Sequence, residues 1–132
     1  MINSDFNEKL EFWGREFDIE ISFERHKGEN ILDFQEQIYH KIKDRLPELL
    51  EVCKTKIYEY VEIDEIKSLF PNEDIPENIF KFIIPKAIFI TRETDLEYFG
   101  FLFYFRYDRN DDMCVSFKNF EFFRTGAEYI IL

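Results

Sequence analysis

Alternation of apolar and polar residues predicts a β-strand in two stretches of the chain. From Phe17 to Glu24 every second residue is apolar, a spacing typical of a strand with one face on a core and the other in water. In the stretch Tyr98–Tyr107 the odd positions are all aromatic and the even positions are mixed. We therefore expect the odd face of this strand, with Phe103 at its centre, to be buried, and its even face to be partly open.

Helical spacing replaces this alternation in the middle of the chain. After Asn30, apolar residues recur at intervals of three and four, which predicts a helix capped by that asparagine. Pro47 would break a hydrogen bond inside a helix but fits the first turn of a new one. The pattern predicts two helices, about 31–45 and 47–61, or one helix kinked at Leu46.

Short strands and tight turns account for most of the remaining chain. Leu10 and Phe12 can form an early strand that turns at Gly14–Arg15. Short helical turns are expected after Asp64 and from Pro76. The later apolar segments predict C-terminal strands at Ala87–Thr91, Tyr98–Tyr107, Met113–Phe117, Phe120–Arg124 and Glu128–Ile131.

The order of these elements predicts an α+β fold in a single domain covering residues 1–132. Its antiparallel β-sheet would combine an N-terminal strand or hairpin with a C-terminal meander, because the later connections are short enough to force reversals. Asn119 and the pair Thr125–Gly126 are expected at two of these turns. The sheet would pack on a helical layer, which gives a two-layer domain.

The net charge of the chain indicates which classes of partner it can bind. The 132 residues include 28 acidic and 17 basic side chains, for a formal net charge of −11. Such a surface repels nucleic-acid phosphates and anionic lipid headgroups, so we expect neither nucleic-acid nor membrane binding. A basic protein partner would be attracted instead, although excess acid can also serve solubility alone. The oligomeric state is not predicted.

The cysteines and the N-terminus favour a cytoplasmic location. Cys53 and Cys114 form no CxxC pattern, so we expect free thiols packed as small apolar groups. The N-terminal residues contain early acid and no apolar signal segment, and no stretch has the length of a membrane-spanning helix.

One acidic turn resembles a calcium loop in part. Asp108, Asn110 and Asp112 occupy the first, third and fifth ligand positions of an EF-hand. Met113 replaces the expected glycine and Asn119 the final glutamate, and strands flank the turn, so we expect no metal site. The alternative is a small metal-dependent hydrolase that uses the acidic residues near Asp108 and Asp112.

Other signatures of catalysis are missing from the sequence. His26 and His40 lie outside any HExxH-type spacing and are expected at the surface. No serine lies in a GxSxG elbow, and the four glycines form no phosphate loop. We therefore expect a protein that is not an enzyme and that needs no cofactor.

The open side of the aromatic strand is the candidate binding surface. Tyrosine and arginine are favoured at protein interfaces, and this side carries Tyr104 and Arg106, followed by the acidic turn. The residues expected to bind a protein partner are Tyr104, Arg106, Asp108, Asp111 and Asp112. Alternatively, a further layer of the fold covers this side.

The C-terminal third also carries several short motifs in a fixed order, at Gly100–Phe103, Tyr107–Asp108, Met113–Asn119 and Gly126–Tyr129. In this order they resemble a family of small bacterial proteins of unknown function that has an aromatic-Asp-x-Glu-His-Gly turn. Asp108 matches the aspartate of that turn, whereas residues 110–112 depart from its Glu-His-Gly. Members often occur near polymorphic-toxin loci. The resemblance implies an immunity or accessory protein that binds and occludes a toxin.

Overall fold

The computed structural model describes residues 2–61, 83–105, 112–127 and 131. Within these ranges the chain forms six strands and two helices. In chain order they are β1 (Phe6–Phe12), β2 (Arg15–Phe23), α1 (Asp33–Asp44), α2 (Leu46–Tyr60), β3 (Ile83–Ile90), β4 (Tyr98–Phe105), β5 (Met113–Lys118) and β6 (Glu121–Ala127).

The strands form one six-stranded sheet in the order β1-β2-β3-β4-β5-β6. All neighbours are antiparallel except β2 and β3, which are parallel. The α+β class and a mostly antiparallel sheet are therefore confirmed, and β4 lies inside the sheet. The parallel pair was not predicted. Both helices separate β2 from β3 in sequence, and parallel neighbours require a long connection of this kind.

One face of the sheet, called the inner face here, shares its core with both helices. Phe99, Phe101 and Phe103 on β4 have no solvent exposure, which confirms the expected burial of the odd positions. The helices contribute apolar side chains at helical spacing to the same cluster, namely Ile38, Tyr39, Ile42, Leu49, Leu50, Cys53 and Ile57.

The opposite face, called the outer face, has a much smaller apolar cluster. Ala87, Leu102 and Cys114 form it together with Ile131, its one buried member outside the strands. Gly100 lies directly beneath this contact, and a Cβ atom there would come within 2.7 Å of Ile131 Cδ1. The described part of the outer face is thus closed at its centre and more open towards both ends of β4.

The start of α1 differs from the prediction. The helix begins at Asp33 with Leu32 as its N-cap, so the predicted cap at Asn30 was wrong. The side chain of buried Gln35 explains the shift: its Oε1 accepts a hydrogen bond from the Leu32 amide at 3.0 Å, and its Nε2 donates to the Glu24 carbonyl at 2.9 Å. These contacts fix the first turn against the end of β2. The break between the two helices near Leu46 is confirmed.

The turn between β1 and β2 holds Trp13 in a conformation that favours glycine. Its φ is 53° and that of Gly14 is 83°, so the turn lies one residue before the predicted Gly14–Arg15 position. A left-handed backbone costs a bulky residue about 1–2 kcal/mol. The Trp13 indole Nε1 donates to the Leu50 carbonyl at 3.0 Å, and its ring stacks on Phe103 with centroids 5.7 Å apart. These contacts offset the strain and attach the hairpin to α2.

Two C-terminal boundaries also differ. β3 begins at Ile83, before the predicted start at Ala87. β6 continues through the predicted turn at Thr125–Gly126, because Gly126 and Ala127 still pair with β5. The turn at Asn119, with φ of 52°, is confirmed. Several predictions lie outside the described residues: the helical turns after Asp64 and from Pro76, the strand end at Arg106–Tyr107, and residues 128–130 of the last strand.

Candidate functional site

An exposed aromatic and aliphatic pair lies on the outer face near the end of β4. Tyr104 is 46% exposed, and its cross-strand neighbour on β3, Ile84, is 48% exposed. Large apolar side chains at such exposure are favoured positions for protein contacts when they lie next to each other. Tyr104 was predicted as a binding residue from its even position, and the structure places it in the open.

A charged pair flanks Tyr104. The register of β3 shifts between Pro85 and Ala87, and the additional residue is Lys86, whose Nζ donates to Oδ2 of Asp112. Because Phe103 pairs with Met113, extending the register by one residue places Asp112 opposite Tyr104. The structure therefore brings together two of the predicted binding residues. The other three, Arg106, Asp108 and Asp111, lie outside the described residues.

A second part of the outer face is strongly acidic. We call it the acidic strip and define it as Glu11, Glu16, Asp18 and Glu20, all exposed on β1 and β2. Glu11 lies directly opposite Glu16, whereas Asp18 has Lys9 as its cross-strand partner. Like charges at opposed positions destabilise a sheet. Alternation in the sequence predicted a solvated face for β2, but the pairing of Glu11 with Glu16 depends on the turn at Trp13.

The inner side of β1 contains a charged group that protects this end of the sheet. Glu8 points to the face of Leu10 and Phe12, where its Oε1 accepts a hydrogen bond from Lys43 Nζ at 2.6 Å. Its Oε2 is buried and has no hydrogen-bond partner within the described ranges. Inward charges on an end strand are a known device against pairing with another strand. Partner binding through strand addition is therefore disfavoured at β1.

The other end of the sheet presents rings and cations. Phe122 and Phe123 on β6 are 36% and 41% exposed, and Tyr60 at the end of α2 is 44% exposed. Lys56 lies over the Phe122 ring and Lys118 over the Phe123 ring. We call this region the β6 corner. Sequence reasoning missed it, although two successive phenylalanines in a strand indicate that one of them leaves the core.

The histidines and cysteines are placed as expected. His26 and His40 are exposed, and His40 Nε2 lies 3.9 Å from Glu36 Oε1. Cys53 and Cys114 are free and buried, and burial raises the pKa of the Cys53 thiol well above its ordinary value. Among the described residues, no three His, Cys, Asp or Glu side chains are close enough to hold a metal ion together.

Neither of the helices in the described ranges has the length and apolar character needed to cross a membrane. Comparisons of the chain with models of known protein families, with curated protein sequences and with solved structures gave no match.

Proposed function

We propose that this protein is a non-enzymatic, cytoplasmic protein-binding domain whose outer face binds a basic protein partner. The acidic strip is the observation that carries the proposal: four exposed carboxylates share one face, and one opposed pair is Glu11 with Glu16. The partner in this proposal is a toxin that the protein binds and occludes as an immunity or accessory protein, as the sequence resemblance implies.

Electrostatics favours a partner of opposite charge here. Cross-strand neighbours have Cβ atoms about 4.5–5.5 Å apart, well within the screening length of about 8 Å at physiological salt. The Glu11 and Glu16 carboxylates therefore repel each other in the free protein. A lysine or arginine from a partner would relieve that repulsion, and the net charge of −11 would accelerate the encounter.

The Tyr104 and Ile84 pair supplies the apolar contact that charge alone does not give. Both side chains are on the same face as the acidic strip, with the ion pair of Lys86 and Asp112 beside them. Interfaces combine a few buried aromatic anchors with a charged rim. In this arrangement Tyr104 is the anchor, and the acidic strip sets the partner's charge and the association rate.

A charge-reversal experiment tests the proposal. The protein is mixed with the purified product of the gene adjacent to its own, and the dissociation constant is measured by biolayer interferometry at low and high salt. We expect Glu11→Lys/Glu16→Lys to weaken binding by about tenfold or more and to remove most of the salt dependence. The matched control is Asp44→Lys/Glu51→Lys, which makes the same charge change at exposed helix positions. Absence of a complex, or equal loss in the control, would refute the proposal.

A small metal-dependent hydrolase that uses Asp108 and Asp112 is the alternative from the sequence. The Lys86 ammonium at the Asp112 carboxylate competes with any bound cation for that oxygen. A thermal-shift series with calcium, magnesium, manganese and zinc separates the two functions. A saturable rise in Tm of several degrees that disappears in Asp108→Asn would favour the hydrolase.

A further inference from the structure

We infer that the β6 corner is a second docking surface, and that it binds an acidic peptide segment of a partner protein through an aromatic or aliphatic side chain. The corner contains an open cavity of about 290 Å³ between the last turn of α2 and β6. Lys56, Tyr60, Phe122, Phe123 and Arg124 contribute to its lining. The inference does not depend on the acidic strip, which lies at the other end of the sheet.

The backbone at this corner favours side-chain contacts over strand addition. Phe122 pairs with Phe117, and Arg124 pairs with Ser116, so Phe123 is the additional residue of a bulge. Bulges bend an end strand and discourage pairing with another strand. The same bulge leaves two neighbouring phenylalanine rings exposed, one towards α2 and one towards Tyr98. The rings themselves are therefore the contact surface.

The cations at the corner specify the charge of the occupant. Lys118 Nζ lies 3.8 Å from the Phe123 centroid, and Lys56 Nζ lies 4.5 Å from the Phe122 centroid. The Arg124 guanidinium also lies over the Phe123 ring, at 5.3 Å. A cation held over a ring retains N–H donors that face away from it. The Lys118 donors can bind a carboxylate beside an apolar side chain that packs on the rings.

The local charge differs from that of the whole molecule. Lys56, Lys118 and Arg124 are accompanied by Glu59, which lies 3.4 Å from Lys56, and by Glu121, the cross-strand partner of Lys118. These residues leave the corner slightly positive, whereas the chain carries −11. A basic partner is therefore directed to the acidic strip, and an acidic segment to the corner.

A buried hydroxyl group provides an independent indication of a ligand. Thr125 Oγ1 is buried and lacks a hydrogen-bond partner within the described ranges, and Thr125 lines the same cavity. An unpaired buried hydroxyl is unfavourable, because it has lost its hydrogen bonds to water. A backbone amide or carbonyl of an extended peptide seated on the Phe122 ring would satisfy it.

Peptide binding tests the inference. A short fluorescein-labelled peptide that alternates glutamate and phenylalanine is titrated with the full chain, and anisotropy is recorded at low salt. We expect saturable binding that weakens by about tenfold or more in Phe122→Ser/Phe123→Ser and in Lys118→Glu. Lys27→Glu is the matched control for Lys118→Glu, since Lys27 is exposed in the loop after β2, four strands from β6 in the sheet order. It should bind the peptide like the unmodified protein.

Two further measurements test the charge of the bound peptide and the identity of the molecule that binds the corner. A peptide with lysine in place of glutamate should not depend on Phe122 and Phe123, and one with serine in place of phenylalanine should bind weakly. Equal peptide affinity in the unmodified chain and in Phe122→Ser/Phe123→Ser would overturn the inference. So would a dimer in analytical ultracentrifugation that dissociates in that variant, because the occupant would then be a second copy. Circular dichroism confirms that each variant is folded.

Discussion

Replacing Phe103 by alanine removes a ring from the centre of the inner face. The side chain has no solvent exposure, and its ring contacts those of Phe12, Trp13 and Phe101 at centroid distances of 6.3, 5.7 and 6.5 Å. Backbone pairing with β3 on one side and β5 on the other prevents the strand from moving into the space left behind. A cavity would therefore persist in the variant.

The expected decrease in the free energy of unfolding follows from these contacts. Truncation of a buried phenylalanine costs roughly 3–5 kcal/mol, and this range already includes its ring pairs, each worth about 0.5–1.5 kcal/mol beyond the buried area. Trp13 would also lose the stacking partner that supports its strained turn. We expect a loss of about 4–5 kcal/mol, a large share of the ~5–15 kcal/mol by which domains are stable. Tyr104→Ala, at an exposed position of the same strand, should cost about 1 kcal/mol.

Urea denaturation of the two variants provides the measurement. With a slope of about 2 kcal/mol/M, the midpoint should fall by about 2 M in Phe103→Ala and by about 0.5 M in Tyr104→Ala. Equal slopes of the free energy of unfolding against urea concentration would show that the denatured states of the variants are comparable. A larger loss in Tyr104→Ala than in Phe103→Ala would mean that the inner and outer faces of β4 have been assigned the wrong way round.

Three other substitutions test separate parts of the fold. Gly100→Ala should lower stability by about 1–3 kcal/mol in thermal melts, because the new methyl would overlap Ile131 and Cys114. Gln35→Ala should cost about 2–3 kcal/mol through its lost hydrogen bonds, and an unchanged midpoint would contradict the assigned helix start. Burial raises the pKa of Tyr98, so its contribution is present below pH ~10 and is lost as pH rises through the raised value. Tyr98→Phe should therefore reduce the alkaline loss of stability.

The pattern of residues along the chain was sufficient to predict the structure where neighbouring residues alone determine it. The odd positions of β4 are apolar and buried, and Pro47 permits a new helix only at its own first turn. The sequence was less informative at the start of β1, where Glu8 interrupts the apolar positions. A carboxylate on the core side is tolerated there because Lys43 on α1 pairs with it, and a contact between residues so far apart in sequence leaves no local pattern.

The candidate surfaces were predictable to different degrees. The exposure of Tyr104 could be predicted because it is at an even position of a strand whose odd positions are apolar. The acidic turn could be predicted from its residue types. Lys86 was missed because its position depends on a bulge in β3 that no residue pattern indicates. The acidic strip needed the register of β1 on β2, and that register is determined by the turn at Trp13. The features that the sequence did not predict are those that depend on how the strands pair, and not on the identity of single residues.

Both end strands of the described sheet disfavour strand addition, by different means. β1 carries the inward Glu8, and β6 carries the bulge at Phe123. The two proposed surfaces would therefore bind partners through side chains, which are acidic at β1–β2 and cationic and aromatic at β6. The two end strands are about 24 Å apart at a strand spacing of about 4.8 Å, so two partners of opposite charge could be bound together. Because these side chains contribute little to the inner core, charge changes there should alter partner choice without loss of the fold.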